Sequence, residues 1–102
     1  MNDAESPPGV GQIVRIKQGR EAGNFAVVIG VEDERFLLLA DGEKRKFDRA
    51  KKKNISHVEM FPHTSNEVKR SIEETGRVTN AKLRFALLDF SQEQPELLKE
   101  GE

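Results

Sequence analysis

Cysteine, tryptophan and tyrosine are absent from this 102-residue chain, and histidine and methionine occur only twice each. Without cysteine there is no disulfide, thiolate metal site or cysteine nucleophile. The fold must be held by its core, and the composition agrees with a reducing compartment. No apolar run approaches the ~18 residues needed to cross a bilayer. No signal-peptide core follows Met1, Asn2 and Asp3, so the expectation is a cytoplasmic protein, neither membrane-spanning nor secreted. A surplus of one charge is also missing, since 17 Lys and Arg face 18 Asp and Glu for a formal net charge of −1.

What is present fits one small domain with polar extensions: 34% charged residues, 35% hydrophobic residues and six Phe. A chain this short buries about 60–70% of the surface it exposes when unfolded, so its few large apolar side chains belong mostly to a core. The near-zero net charge hides an uneven distribution. Residues 1–9 carry two acids and no base, residues 10–64 eleven bases and eight acids, and residues 65–102 six bases and eight acids. Within residues 44–53, Lys44, Arg45, Lys46, Arg49, Lys51, Lys52 and Lys53 face a single acid, Asp48.

Residues 1–9 have the composition of a flexible leader, with order expected to begin near Val10. A short strand is predicted over residues 12–17, where Val14 and Ile16 alternate with Arg15 and Lys17, so that the first pair faces a core and the two bases a wet face. Residues 19–24 hold two glycines among polar residues and read as a loop. Residues 25–31, FAVVIGV, are apolar on both faces and read as a central strand, with Gly30 marking a bulge or bend. A third strand is predicted over residues 35–40, closing at an Asp41-Gly42 hairpin turn. A fourth follows over residues 44–47, then a turn or single helical turn over residues 48–53, and a fifth strand over residues 55–59. Five short strands in about 50 residues suggest a small, strongly bent barrel.

The period then changes. Thr64 as N-cap with Glu67 three residues on, Val68 and Ile72 four apart, and Gly76 in the C′ position predict a helix over residues 65–75. Thr79 as N-cap, Val78 and Leu83 as a staple, and the stripe Leu83, Ala86, Leu87 and Phe90 predict a second helix to about Phe90. Both helices need an apolar surface to lie on. Phe61, Phe85 and Phe90 are expected to pack this tail, and Phe25, Phe36 and Phe47 sit at strand positions that core packing explains, Phe25 and Phe47 being the two best placed for partial exposure and base stacking. Residues 92–102 read as a frayed acidic tail.

Polyanion binding requires cations gathered on one surface, where phosphate contacts release condensed counterions. The cluster at residues 44–53 meets the compositional part of that requirement, and Lys17 and Arg20 flank a second loop that a small barrel could bring to the same rim. Arg45 and Arg49 could grip phosphate with two nitrogens, whereas Lys51, Lys52 and Lys53 would act as less directional charges. The same lysine run also has the composition of a solvated turn. Catalysis has little to stand on. His57, His63 and Glu59 match no metal motif, and residues 19–23 lack the Lys-Ser/Thr of a phosphate loop. No catalytic residue, metal or cofactor is assigned, and the chain is expected not to be an enzyme.

Residues 11–29, GQIVRIKQGREAGNFAVVI, resemble the KOW motif: a basic strand, a loop ending in glycine, then a hydrophobic strand, with Gly11, Val14, Ile16, Gly19, Gly23, Val27 and Val28 in place. The chain is similar to the KOW domain of the archaeal and eukaryotic large-subunit ribosomal group and to small bacterial KOW-domain RNA-binding proteins. These share the Asp-Gly turn, a lysine-rich segment like Lys51, Lys52 and Lys53, and a helical tail like VTNAKLRFALLDF. The resemblance runs from Val10 to Phe90. It implies a mainly β fold, a five-stranded SH3-like barrel over residues 10–61 followed by two short helices over residues 62–91, and it implies RNA binding. By the same resemblance Lys17, Arg20 and Asn24 contact RNA, while Ala26 stands where many KOW motifs carry a further glycine. The assignment of Lys44, Arg45, Lys46, Arg49, Lys51, Lys52 and Lys53 rests on charge alone.

The expected function is therefore a non-enzymatic, ribosome- or translation-associated RNA-binding protein that contacts phosphates through the KOW loop and the basic segment. The competing expectation is an adaptor that binds protein through the barrel or the Leu83, Leu87 and Phe90 stripe.

Overall fold

A computed structural model of the chain describes residues 9–93. Apart from Gly9, Gln92 and Glu93, the expected leader and acidic tail lie outside the described residues. Five strands, β1 (Gln12–Ile16), β2 (Phe25–Val31), β3 (Phe36–Ala40), β4 (Lys51–Asn54) and β5 (Val58–Thr64), precede α1 (Asn66–Thr75) and α2 (Asn80–Glu93). The strands form one antiparallel sheet in the order β4-β3-β2-β1-β5. The fold is mainly β with a helical tail, as expected, although β4 and β5 are not hydrogen-bonded to each other and the sheet stays open.

The doubly apolar β2 is central because both faces of the sheet are covered. On one face Val14, Ile16, Ala26, Val28, Leu37, Leu39 and Val58 form a core joined by Ile55 and Met60. Neither α1 nor α2 contributes to this core, yet Val14, Val28 and Leu37 are fully buried, so the sheet must curl over its own side chains. The other face carries Ile13, Val27, Ile29, Ala40 and Phe61, which pack with Val68, Val78, Leu83, Ala86 and Phe90 of the helical tail. Strand alternation sends neighbouring residues of β1 and β2 into different cores. Register shifts in β2/β3 near Gly30 and in β1/β5 between Gln12 and Val14 help bend the sheet.

Residues 44–47 form no strand, contrary to the hairpin expected at Asp41-Gly42. The Asp41 carboxylate accepts from the backbone N–H of Glu43 at 2.8 Å and of Arg45 at 2.9 Å, and the Arg45 carbonyl accepts from the N–H groups of Asp41 and Gly42. This spends the local donors inside a compact loop. A single 3-10 turn, Phe47–Arg49, follows. The lysine segment read as a turn is instead the edge strand β4, pairing Leu39 with Lys51, Leu38 with Lys52 and Leu37 with Lys53. A second 3-10 turn, Ile55–His57, leads into β5, which runs to Thr64.

Thr64 is still in the ladder, paired with Gln12, so the N-cap of α1 falls one residue later than expected. Ser65 caps the helix by accepting from the Val68 N–H at 3.3 Å. Gly76, at φ 77°, ends α1 as predicted, and Thr79 caps α2 by accepting from the Lys82 N–H. Leu83, Ala86 and Phe90 face the sheet, but Phe85 does not pack the tail, being 60% exposed. The start of α2 is clamped to the loop over residues 41–50. Arg84 donates to the Gly42 carbonyl at 2.8 Å, and Phe47 N–H donates to Asn80 Oδ1 at 2.8 Å. A Cβ on Gly42 would run into the Asn80 carbonyl and lie 3.0 Å from Leu83 Cβ, so this approach needs glycine.

Candidate nucleic-acid interface

The loop after β1 is built by its backbone. Gly23 N–H donates to the Ile16 carbonyl at 2.7 Å, Ile16 N–H to the Asn24 carbonyl at 2.9 Å, and Ala22 N–H to the Gly19 carbonyl at 3.2 Å. Gly19 and Gly23 both have positive φ, near 100° and 94°. Side chains of the loop are thereby left exposed, among them Lys17 and Arg20.

β4 brings the basic segment to this loop. Residues opposite one another in an antiparallel pair share a face, so Lys51 and Lys53, opposite Leu39 and Leu37, lie on the concave side and Lys52, opposite Leu38, on the convex side. A Cβ on Gly19 would lie 2.8 Å from Lys53 Nζ, so the ammonium sits directly over the loop. A hollow of about 370 Å³ results, lined by Gly19, Arg20, Glu21, Arg45, Lys51 and Lys53. Four of these six residues are basic, and the one acid is already engaged by Arg45 at 3.2 Å.

The other expected site residues are placed differently. Arg45 also donates to the Arg49 carbonyl at 3.3 Å, and its Nε is buried without an acceptor. Arg45 thus ties the two loops together more than it offers itself to a ligand. Lys52 leaves the group altogether, with its Nζ 3.3 Å from Glu32 and 4.7 Å from the centroid of the Phe36 ring. Lys46 and Arg49 are exposed on the loop before β4. Asn24 and Lys44 line a separate hollow of about 230 Å³ with Phe25, Asp41, Glu43, Arg84 and Leu87.

Sequence reasoning missed Arg84, which enters this region because it flanks the buried stripe of α2 one position after Leu83. It also misread Arg15. On β1 the row Phe25, Arg15 and Glu59 runs across three strands, and Arg15 is not on a wet face. Its guanidinium lies 5.6 Å from the Phe25 ring centroid and 5.9 Å from that of Phe61, and Nη2 is 2.8 Å from Glu59 Oε1. Phe25 stacks on Phe61 and packs against Phe90 with centroids 5.7 Å apart in each case, so core packing occupies most of its ring. Among the described residues no group of three or more His, Asp or Glu is placed to hold a metal, and no described helix is long and apolar enough to cross a membrane.

No family model matches the chain. Individual relatives do. A Bacillus subtilis protein named "Putative ribosome-binding protein YbzG" is 44% identical over 71 residues, covering 70% of this chain and 96% of the relative. Large ribosomal subunit protein eL14 of Hyperthermus butylicus is 31% identical over 101 residues, 90% of this chain and 93% of the relative. The chain belongs to the eL14 group of KOW-type ribosomal proteins and their bacterial relatives. The eL14 protein of Aeropyrum pernix is also similar, at 31% identity over 75 residues.

Proposed function

We propose that this protein is a non-enzymatic RNA-binding protein that associates with the ribosome in the cytoplasm and holds ribosomal RNA by its phosphates. The observation that carries the reading is the convergence of Arg20, Lys51 and Lys53 on one hollow beside the glycine loop. Three cations in a recess concentrate positive potential that the whole-chain charge conceals. A predominantly basic recess of this kind binds phosphates with little regard for sequence. Lys17, Lys46 and Arg49 extend the positive surface beside it, and Lys44, Arg84 and Asn24 offer a second point of contact. The names of the relatives, a ribosome-binding protein and a large-subunit ribosomal protein, support the ribosome as the source of that RNA.

The test is RNA affinity as a function of salt. A Lys51→Ala/Lys53→Ala double variant is expected to make the negative slope of log affinity against log salt shallower by roughly 1.5, at about 0.7–0.9 for each phosphate no longer neutralised. Lys52→Ala, which removes the neighbouring lysine from the convex side, is expected to leave the slope unchanged. Equal effects from both variants would remove the hollow from the interface. Co-sedimentation with ribosomes is expected to fall with salt in the same order.

A further inference from the structure

α2 buries one face in the sheet and, among the described residues, leaves another uncovered. Phe85 and Leu88, three residues apart and so adjacent on the helix surface, are 60% and 53% exposed. Beside them a groove of about 300 Å³ runs between α2 and the junction of β5 with α1, lined in part by Phe85, Ala86, Glu67, Asp89, Glu93 and His63. Among the described residues three acids and no Lys or Arg line it. Lys82 approaches only at the rim, 4.0 Å from Glu67, while His63 faces Glu93 at 3.5 Å and packs edge-on to Phe90. The chain leaving Glu93 adds Glu96, Glu100 and Glu102 against Lys99.

From this we infer that the Phe85/Leu88 face of α2 and the adjoining groove dock a cationic polypeptide segment, with its large apolar side chains on the two exposed residues and its Lys or Arg side chains on Glu67, Asp89 and Glu93. Charge selects the occupant. Phosphates are repelled by the three carboxylates, so nucleic acid is disfavoured here. A second copy meeting the first about a two-fold axis would set acids against acids, and the acidic C-terminal segment carries the same sign as the groove. The groove lies at the Gln12 end of β1, where Thr64 pairs, whereas the basic hollow lies beyond the Ile16 end. A strand of five residues separates them by about 13 Å. The inference does not depend on RNA binding.

The experiment uses the full chain and a fluorescein-labelled twelve-residue peptide of alternating lysine and leucine, read by polarisation at low salt. Phe85→Ser and Asp89→Lys are both surface changes expected to leave the thermal midpoint in place. Each is expected to weaken peptide binding about tenfold, and a lysine-serine peptide is expected to bind about as weakly to the wild type. RNA affinity is expected not to fall in either variant, so failure of one reading does not carry the other with it. Wild-type peptide affinity in both variants overturns the proposal. So does a severalfold gain on Leu97→Ser/Leu98→Ser, which would make the chain's own C-terminal segment the occupant. A dimer in sedimentation that Phe85→Ser dissolves would give the face to a second copy and overturn it as well.

Discussion

At the scale of single residues, the site turns on an absent side chain. Gly19 has φ near 100° and lies where a Cβ would be 2.8 Å from Lys53 Nζ, whereas Gly23, with φ near 94°, has open space around its missing Cβ. Both Gly19→Ala and Gly23→Ala should therefore strain the loop backbone, each costing roughly 1–2 kcal/mol in urea unfolding. Only Gly19→Ala should also push the Lys53 ammonium away from the hollow. Its RNA affinity is expected to fall below that of Gly23→Ala, and the difference is expected to vanish when both are placed in a Lys53→Ala background. A persistent difference there would mean that Gly19 acts on RNA directly. Arg15 illustrates why charge is a poor guide to exposure at this scale. The alternating pattern sends it away from Val14 and Ile16, but that face is covered by Phe25 and Phe61, and its cation is spent on two rings and Glu59.

At the scale of elements, the apolar period was readable and the polar connections were not. FAVVIGV announces a strand covered on both sides, and the structure covers it with two cores. The two helices were legible because capping residues and stripes are local signals, although Ser65 displaced Thr64 as cap once Thr64 was claimed by the ladder with β1. β4 was not legible. A run of three lysines has no apolar alternation, and its strand state is set by the backbone of β3 beside it. The separation of Lys52 from Lys51 and Lys53, on which the candidate site depends, follows from that pairing and from nothing in the lysine run. The loop before β4 depends in turn on α2 through Phe47 N–H and Asn80 Oδ1. Asn80→Ala would leave this part-buried donor unpaired and is expected to cost about 1–2 kcal/mol. Exchange of the Phe47 amide should accelerate more than that of strand amides. Asn80→Asp keeps an acceptor in place and is expected to restore protection; failure to do so would assign the loss to the helix start instead.

At the scale of the molecule, β1 and β2 serve two cores at once, and this decides whether the tail is an accessory or a structural layer. Ile13 and Val27 face the helices, while Val14, Ala26 and Val28, their immediate neighbours in the chain, face the concave core. Phe90 joins the two parts: it is 2% exposed, with its ring centroid 5.3 Å from Phe61 and 5.7 Å from Phe25. Phe90→Ala opens a cavity against β2 and β5 and is expected to cost about 3–5 kcal/mol, a large part of the ~5–15 kcal/mol available to a domain of this kind. Because the strands are shared, the loss should appear everywhere together. Helical circular dichroism and the methyl resonances of Val28, on the far face of β2, should report one common urea transition, shifted to lower midpoint with unchanged steepness. If the helical signal melted early while Val28 kept the wild-type midpoint, the curled sheet would be a separate cooperative unit. The basic hollow would then have to form without α2 holding the loop that carries Arg45.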